Sequence, residues 1–400
     1  MSTPWRDGNR FAILENGGSY FPRVYAAIGK AREEILIETF ILFDDAVGRE
    51  LREALMAAAR RGVRIDITVD GYGSDSLPPE FIAGLVELGV GFHVFDPRPR
   101  LLGMRTNLFR RLHRKIVAID GTLAYVGGLN FSADHLDDYG PQSKQDYAIE
   151  IAGPLAADIR DFARAALAAV PRRRWRRAPP ATPPHAAGPA RARLVVRDND
   201  QHTNDIEQSY RVAIRAARRD IVIANAYFFP GYRLLRDLRA AAARGVRVRL
   251  ILQGEPDMPI AQLGARLLYD ALAEAGVEIL EYCERPLHGK VASVDDEWAT
   301  VGSSNLDPFS LALNLEANVE VRDSAFASGL RERLERLAID HCRPAPKHDG
   351  AGRQLRRLFA GALVYHFLRR FPAWAGSLPA HKPRIQTLRP DGQGQPDEAT

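Results

Sequence analysis

One polar pattern occurs twice in the sequence, and this repetition constrains the fold more than any other feature. The first copy is "HRKIVAIDGTLAYVGGLN" (113–130) and the second is "HGKVASVDDEWATVGSSN" (288–305). Both copies read H-x-K-x4-D-x6-G-x-x-N without a gap, although the chain has only 10 histidines and few lysines among its 55 basic residues. Two matched copies of such scarce residues predict two related units that share one kind of site.

The similarity between the two halves of the chain extends beyond this motif. Helix-end patterns followed by Ile/Leu/Val runs occur at 27–40 and 213–228, and Arg-Gly turns followed by β-branched runs occur at 57–73 and 241–257. Glycine after the last helical residue is a usual helix stop, and alternating helices and strands favour an α/β fold with a parallel or mixed sheet. The shared order of these elements predicts an internal duplication.

The composition along the chain predicts where the domains lie. Segment 171–193 is rich in Pro, Ala and Arg and has no acidic residue, which is typical of a linker. It separates an N-terminal domain at 8–170 from a C-terminal domain at 194–345. Segment 350–380 is basic and aromatic, with apolar residues at helical spacing, and this favours a helix that lies on a membrane surface. Residues 381–400 are polar and predict a disordered tail.

The charge of the chain favours anionic partners. A formal net charge of +5 suits nucleic acid, anionic lipid or a phosphate-bearing small molecule, and does not choose among them. Cys283 and Cys342 form neither a metal-binding pattern nor a disulfide framework. The first residues lack the apolar core of a signal peptide, and no apolar run is long enough to predict a membrane-spanning helix.

The spacing within each motif indicates which side chains act together. The His and the Lys are two residues apart in a strand-like run, so both project to one face of the strand. The Asp lies an odd number of residues beyond the Lys, beside a turn, and we expect it to anchor that turn or a neighbouring segment rather than to contact substrate. The candidate catalytic residues are His113, Lys115, Asp120, His288, Lys290 and Asp295.

The paired motif resembles that of the phospholipase D superfamily, in which two HKD motifs meet at one site. Residues 8–340 resemble the bacterial cardiolipin synthases of the B type through "ETFILFDD", "GGLNFSADH", "DYGPQSKQDYA" and "GSSNLDPFSLALNLEAN". The resemblance implies a pseudo-twofold pair of α/β sandwich domains, with mixed β-sheets flanked by helices and the active site at the domain interface. The first motif departs from the family pattern, because Gly128 replaces a serine that the second motif retains as Ser303.

Two imidazoles and two ammonium groups around one cavity suit reaction at a phosphodiester. The lysines, with Asn130, Ser303 and Asn305 as candidate substrate-binding residues, are expected to hold the non-bridging oxygens. One histidine attacks phosphorus and forms a phospho-histidine, and the other transfers protons to and from the two alcohols. No metal or other cofactor is expected, because the lysines supply the positive charge.

Two further assignments follow from the resemblance alone. The stretch "QDYAIEI" (145–151) aligns with "LEANVEV" (315–321) and places Asp146 opposite Glu316. The resemblance implies that these acids cross over, so that Glu316 orients His113 and Asp146 orients His288. It also implies that His113 is the nucleophile and His288 the general acid and base, a point on which the sequence itself is symmetric.

The leading hypothesis is a phosphatidyltransferase that makes cardiolipin and glycerol from two molecules of phosphatidylglycerol. The alternatives are a phospholipase D-type hydrolase that releases phosphatidic acid, a nuclease of the same superfamily, and a non-catalytic lipid-binding protein. Segment 98–114 mixes six arginines with apolar residues and favours a membrane interface, although a nucleic-acid groove has a similar composition. We expect a phospholipid substrate, an anionic membrane surface and no nucleic acid as partners, with the oligomeric state open. The expected location is peripheral, at the cytoplasmic face of a bacterial cell membrane.

Overall fold

The computed structural model describes residues 3–97, 110–167, 185–254, 268–346, 370 and 384–388. The strands of the first half are β1 (Arg6–Glu15), β2 (Glu34–Thr39), β3 (Arg64–Asp70), β4 (Gly91–Phe95), β5 (Ile116–Ile119), β6 (Leu123–Gly127) and β7 (Tyr147–Ala152). Its helices are α1 (Asn16–Lys30), α2 (Ala46–Arg60), α3 (Pro79–Glu87) and α4 (Pro154–Ala166), with 3-10 turns at Ala133–His135 and Asp137–Tyr139.

The second half repeats this series. Its strands are β8 (Ala190–Arg197), β9 (Asp220–Asn225), β10 (Arg247–Gln253), β11 (Glu278–Tyr282), β12 (Lys290–Val294), β13 (Trp298–Gly302) and β14 (Glu316–Arg322). Its helices are α5 (Asp205–Ala216), α6 (Tyr232–Ala243), α7 (Pro308–Ala312) and α8 (Ser324–His341). Two short strands follow, β15 (Cys342–Pro344) and β16 (Ile385–Thr387).

The described strands form one mixed sheet whose order repeats about its centre. From β1 outward the order is β1-β7-β6-β5-β2-β3-β4, and from β8 outward it is β8-β14-β13-β12-β9-β10-β11. In each half the three outer strands run parallel, and the remaining neighbours are antiparallel. The halves join where β1 pairs with β8 through Arg6–Ala192 and Asn9–Ala190. The predicted duplication and the α/β fold with mixed sheets are therefore confirmed.

Three apolar cores hold this arrangement. Helices α1, α2 and α3 cover the outer face of the first half, and α5 and α6 cover that of the second. The third core contains α4, α8 and strands of both halves, and β6 packs onto β13 and β14 within it. Leu155, Ile159, Leu330 and Leu334 are all fully buried there. Because each such side chain contributes about 1.5–3 kcal/mol on burial, the shared core fixes the two halves relative to each other.

Glycines end the helices where the sequence predicts helix stops. Gly62 follows α2 with φ +86°, and Gly245 follows α6 with φ +87°. A left-handed residue at this position costs little only for glycine. At the other end of α2, Asp45 accepts a hydrogen bond from the Gly48 amide at 3.0 Å and caps the helix. Each Arg-Gly turn therefore leads from a surface helix into the parallel strand that follows it.

Two predicted segments contain strands that composition did not reveal. Strand β8 begins at Ala190, so the last four residues of the predicted linker 171–193 belong to the sheet. The predicted tail 381–400 contains β16, which pairs with β4 and places Thr387 Oγ1 2.9 Å from His93 Nδ1. Both strands follow the two-residue period of a β-strand, through alternating Ala and Arg in β8 and through Ile and Thr in β16. Each lies in a segment whose overall composition is typical of a linker or a tail.

Most of the basic segments lie outside the residues that the structure describes. The membrane-surface segment predicted at 350–380 is described only at Arg370, and 98–109 is not described. Within the described ranges, no helix combines the length and apolar character needed to cross a bilayer.

Candidate active site

Each motif histidine is hydrogen-bonded through its backbone to the opposite half. The His113 amide donates to the Leu315 carbonyl at 3.0 Å, and the His288 amide donates to the Gln145 carbonyl at 2.8 Å. These bonds place the start of each motif beside the strand that carries the acid of the other half. The two motifs therefore meet at the interface between the halves, as the resemblance implies.

The residue before each histidine is fixed by the end of a neighbouring strand. The Leu112 amide donates to Asp70 Oδ2 at 2.8 Å, and the Leu287 amide donates to Gln253 Oε1. Asp70 and Gln253 are the last residues of β3 and β10, which occupy equivalent places in the two halves. Neither residue was predicted from the sequence, although each is the polar end of an aligned β-branched run.

The two histidines pair with the acids of the opposite half. His113 Nδ1 lies 3.0 Å from both carboxylate oxygens of Glu316, and His288 Nδ1 lies 2.6 Å from Asp146 Oδ2. The acid side chains are 0% exposed, whereas those of the histidines are 12% and 13% exposed. The crossed pairing is therefore confirmed as a contact. Since Nδ1 is taken, Nε2 is the ring nitrogen that each imidazole presents for chemistry.

Both motif lysines are buried beside their histidines. Lys115 Nζ donates to the His113 carbonyl at 2.8 Å, and Lys290 Nζ donates to the His288 carbonyl. Burial lowers the pKa of Lys115 to about 7; the charge of Glu316 opposes this shift and the charge of Lys290 adds to it. Two crowded ammonium groups favour an anionic ligand, because a phosphate would stabilise both charges.

The same burial keeps both imidazoles neutral. It lowers the pKa of His113 to about 4, although the charge of Glu316 raises it, and the charge of Lys115 adds to the lowering. Burial and the charge of Lys290 hold the pKa of His288 well below its usual range. A neutral Nε2 carries the lone pair that a nucleophile or a base requires.

The two acids differ in their affinity for protons. Burial raises the pKa of Asp146 to about 6, against the charge of Lys290. Burial would also raise the pKa of Glu316, but hydrogen bonds from His113 and Ser303 and the charge of Lys115 hold it below its usual range. Glu316 is therefore a full negative charge at neutral pH, whereas Asp146 shares a proton with His288 more readily.

The motif aspartates lie at the far end of the strands from the histidines. Asp120 accepts hydrogen bonds from the three consecutive amides of residues 32–34, each at 2.9 Å. Asp295 accepts from the amides of residues 218–220 at 2.6, 2.8 and 2.8 Å. The anchoring role expected of both is present. Both aspartates bind the backbone at the N-terminal ends of β2 and β9, away from the histidines. The candidate residues that remain in position to contact a substrate are therefore the two motif histidines and the two motif lysines.

Ser303 is expected from the sequence to face the phosphate, whereas in this structure its hydroxyl contacts the acid that pairs with His113. Its hydroxyl donates to Glu316 Oε2 at 2.5 Å, accepts from the Ala317 amide at 3.1 Å, and is 0% exposed. Asn130 is buried and its Oδ1 accepts from the Ile41 amide at 3.2 Å. Asn305 is also buried, and its Oδ1 makes no hydrogen bond within the described ranges. Substrate binding by the two asparagines stays a prediction.

The glycine of the first motif has a steric cause. A Cβ atom at Gly128 would lie 2.2 Å from Asp146 Oδ1, far inside van der Waals contact. The shorter acid of the first half therefore occupies the space that the Ser303 side chain fills in the second. Glycine at position 128, where the second motif has serine, therefore goes together with Asp at position 146, where the second half has Glu316.

Two polar residues near His288 were missed by the sequence analysis. The His135 ring centroid lies 5.6 Å from that of His288, and its Nε2 accepts from the Asn130 amide at 3.2 Å. Lys144 Nζ lies 2.5 Å from Asp134 Oδ2, and its charge also lowers the pKa of His288. Both lie within the stretches "GGLNFSADH" and "DYGPQSKQDYA", whose density of polar residues was the available signal.

His135, Asp146 and His288 also offer three potential metal ligands. Their ligand atoms lie within 4.8 Å of one another. The 2.6 Å separation of His288 Nδ1 from Asp146 Oδ2 suits a hydrogen bond. Two ligands of a tetrahedral zinc ion lie about 3.3 Å apart when each is about 2.0 Å from the metal. This arrangement therefore favours holding a proton over holding an ion.

Comparison with known proteins gives the family. A family model described as cardiolipin synthase, PLD-like domain, matches residues 24–162 and 210–338. Cardiolipin synthase B of Escherichia coli (strain K12) is 52% identical over 395 residues, which are 98% of this chain and 96% of that protein. Cardiolipin synthase A of Pseudomonas aeruginosa (strain LESB58) is 31% identical over 364 residues, covering 89% of this chain and 72% of that protein.

Solved structures support the fold. Phosphatidylserine synthase from Haemophilus influenzae Rd KW20 has a TM-score of 0.67 at 13% identity, covering 90% of this chain and 95% of that one. Polyphosphate kinase from Porphyromonas gingivalis has a TM-score of 0.58 at 13% identity, covering 89% of this chain and 53% of that one. At such low identity these likenesses concern the fold alone. The family model and the two cardiolipin synthases, in contrast, match the sequence itself in both halves of the chain. The chain therefore belongs to the cardiolipin synthase family of phospholipase D-like enzymes.

Proposed function

We propose that this enzyme is a phosphatidyltransferase that converts two molecules of phosphatidylglycerol into cardiolipin and glycerol. The observation that carries the proposal is the assembly of two unlike His–acid pairs, each completed by the opposite half, in a chain 52% identical to a cardiolipin synthase B. Two imidazoles with different acids suit a reaction in two steps, because one forms the covalent intermediate and the other transfers protons.

In the first step, His113 Nε2 attacks the phosphorus of one phosphatidylglycerol. Binding of the anionic phosphate beside His288 favours a second proton on that ring, at Nε2. The N–P bond forms while the bond from phosphorus to the glycerol oxygen breaks, and that oxygen takes the Nε2 proton, which leaves His288 neutral. The phosphorylated ring of His113 then carries a positive charge. The ionised Glu316, in contact with His113 Nδ1, stabilises that charge, which supports His113 as the nucleophile.

In the second step, a free hydroxyl of a second phosphatidylglycerol gives its proton to His288 Nε2. Its oxygen attacks phosphorus, the N–P bond breaks, and His113 is restored. The readiness of the Asp146–His288 pair to share a proton suits this alternation between acid and base. Lys115 and Lys290 supply the charge that neutralises the phosphate, so the reaction needs no bound metal.

We also propose that the enzyme works as a peripheral protein on the cytoplasmic face of an anionic bacterial membrane. An aromatic side chain that follows each motif asparagine is about half exposed: Tyr139, nine residues after Asn130, at 54%, and Phe309, four residues after Asn305, at 50%. Exposed aromatic rings suit the boundary between headgroups and acyl chains. The basic segments 98–114 and 355–379 would add attraction to anionic lipid.

The test is incubation of the purified full-length protein with phosphatidylglycerol vesicles, with and without added alcohols, followed by mass spectrometry of the lipids. Cardiolipin with free glycerol supports the proposal. Phosphatidic acid alone would identify a hydrolase, DNA cleavage without lipid turnover would identify a nuclease, and lipid binding without turnover would identify a binding protein. His113→Ala should abolish both product and phospho-enzyme, whereas His341→Ala, at a 43% exposed histidine paired with Glu284, serves as the matched control.

A further inference from the structure

We propose that His135 is a positioning residue that supplies Asp146 with a second side-chain hydrogen-bond donor, as Ser303 does for Glu316. The two His–acid pairs would then be built alike, although from different residues. This inference rests on the proposed function, because it concerns the imidazole to which that function assigns the proton transfers.

The proton on the His135 ring is located by its backbone contact. Nε2 accepts a hydrogen bond from the Asn130 amide at 3.2 Å, and a nitrogen that accepts carries a lone pair. Burial lowers the pKa of His135 well below its usual range, so the ring is neutral. A neutral ring with a lone pair on Nε2 carries its proton on Nδ1.

The Nδ1 proton of His135 lies close to the carboxylate of Asp146. Nδ1 is buried, makes no hydrogen bond to the part of the chain that the structure describes, and lies 3.7 Å from Asp146 Oδ2. The same oxygen accepts the Nδ1 proton of His288, whereas Asp146 Oδ1 accepts from the Tyr147 amide at 2.8 Å. A buried donor without a partner is costly, so a shift of the carboxylate by less than 1 Å that closes this gap is favourable.

Comparison of the two halves explains why the first half needs this histidine. In the second half, Ser303 donates to Glu316 at 2.5 Å. In the first half no side chain fits at the equivalent Gly128, because its Cβ would lie 2.2 Å from Asp146 Oδ1. His135 lies five residues beyond Asn130, and the residue five beyond Asn305 is a serine. The histidine therefore occurs in the half that lacks the hydroxyl.

The expected effect is on the proton shared by Asp146 and His288. A second donor stabilises the ionised carboxylate and keeps the mobile proton on the imidazole. Without this donor the Asp146–His288 pair binds its proton more tightly, so the apparent pKa of the pair rises. The part of the pH–rate profile that reports this pKa then moves to higher pH. The charged and titratable groups facing His135 are Asp134, Lys144, Asp146, His288, Lys115 and Lys290. All of them remain in the variants below, so a shift between variants reports the donor alone.

Two variants separate the two contacts of His135. His135→Asn places an amide donor near the position of Nδ1 and loses the acceptor for the Asn130 amide, whereas His135→Gln places an acceptor near Nε2 and loses the donor towards Asp146. We expect cardiolipin formation by His135→Asn to stay within about threefold of the wild-type rate. His135→Gln should fall at least about tenfold and shift its pH profile upward. Equal losses, or loss in His135→Asn alone, would overturn the proposal in favour of support for the Asn130 backbone.

A second measurement needs neither lipid nor a stable variant. Nitrogen-15 NMR of the imidazoles in the wild-type protein should find the His135 proton on Nδ1, and a proton on Nε2 would overturn the proposal. In folded variants the His288 Nδ1 proton resonance should move in His135→Gln and stay in His135→Asn. Failure of the wild-type protein to make cardiolipin would count against the proposed function and leave this readout unaffected.

Discussion

His113 Nδ1 lies 3.0 Å from the carboxylate of Glu316, a residue 203 positions later that opens a strand of the other half. The equivalent contact joins His288 to Asp146 over 142 positions. Each motif histidine therefore takes its acid from the opposite half. The duplication has therefore produced one site from two incomplete ones, and the acids differ in length and in proton affinity.

Neutralising each acid should affect the two steps differently. Glu316→Gln removes the charge that stabilises the phosphorylated His113 ring, so phospho-enzyme formation should fall by about a thousandfold, the scale typical of orienting acids. Asp146→Asn should slow both phospho-enzyme formation and its transfer to the acceptor, because His288 transfers a proton in each step. Single-turnover measurements with trapped phospho-enzyme separate the two steps. Glu335→Gln, at a surface ion pair with Arg247 and Arg331, is the control, and identical defects in the two acid variants would contradict the assignment.

The residues at the Gly-Ser position should not be interchangeable. Gly128→Ser places a side chain at the position of the Asp146 carboxylate and should reduce activity at least about a hundredfold through displacement of His288. Ser303→Gly removes one hydrogen bond to Glu316 and should cost about tenfold. Gly29→Ser, at a helix glycine with open space around it, should leave the rate unchanged. A fully active Gly128→Ser enzyme would show that Asp146 can adopt another position.

Loss of a motif aspartate should reduce stability more than chemistry. Asp120→Ala leaves three amides at the entrance of β2 without their acceptor and should lower the free energy of unfolding by about 2–4 kcal/mol. Urea unfolding measures this loss, and the rate of the folded fraction at low temperature should change much less. Asp161→Ala, at a 61% exposed side chain, is the matched control. A large rate loss with unchanged unfolding would return Asp120 to the catalytic set.

Stability should fall in acid because of His113. Its pKa is about 4 in the folded chain and about 6.5 when unfolded, so the unfolded chain binds the proton first as pH falls. Stability is therefore lost between about pH 6.5 and pH 4, by up to about 3 kcal/mol, and the raised pKa of Asp146 opposes part of that loss between about pH 6 and pH 4. Denaturant unfolding across this range should show a smaller loss in His113→Gln, and an unchanged pH dependence would contradict the buried neutral imidazole.

The exposed aromatic residues beyond the motif asparagines should strengthen membrane binding. Tyr139→Ser and Phe309→Ser should each weaken association with phosphatidylglycerol vesicles by about tenfold, since a buried aromatic side chain contributes about 1.5–3 kcal/mol. Vesicle sedimentation measures the effect. Ile339→Ser, at a 77% exposed residue of α8, should bind as the wild type does. Weakening of the same size in all three variants would show that exposed apolar area, and not position near the site, governs binding.

Much of the site could be predicted from the sequence, because it depends on strand periodicity and repetition. Residues two apart in a strand share a face, which placed His113 with Lys115, and the aligned acids followed from the repeat. The orientation of the Ser303 hydroxyl could not be predicted, because it depends on the three-dimensional position of Glu316. His135 was missed because the Asn130 amide that donates to it and the Asp146 carboxylate that it faces come from different loops. The strands β8 and β16 were missed because short strands within Pro- and Arg-rich segments have a weak local signal.

The last described strand of the chain belongs to its first half. β16 pairs with β4, while β15 pairs with β11 at the opposite edge of the sheet, so the two repeats are interlocked instead of following one another along the chain. A cut between residues 168 and 184 would leave the N-terminal fragment without its own edge strand and without Glu316. We therefore expect two co-expressed fragments to restore activity only when the second retains residues 384–388. The two repeats therefore form a single folding unit, and one cut in the chain does not separate them into two complete domains.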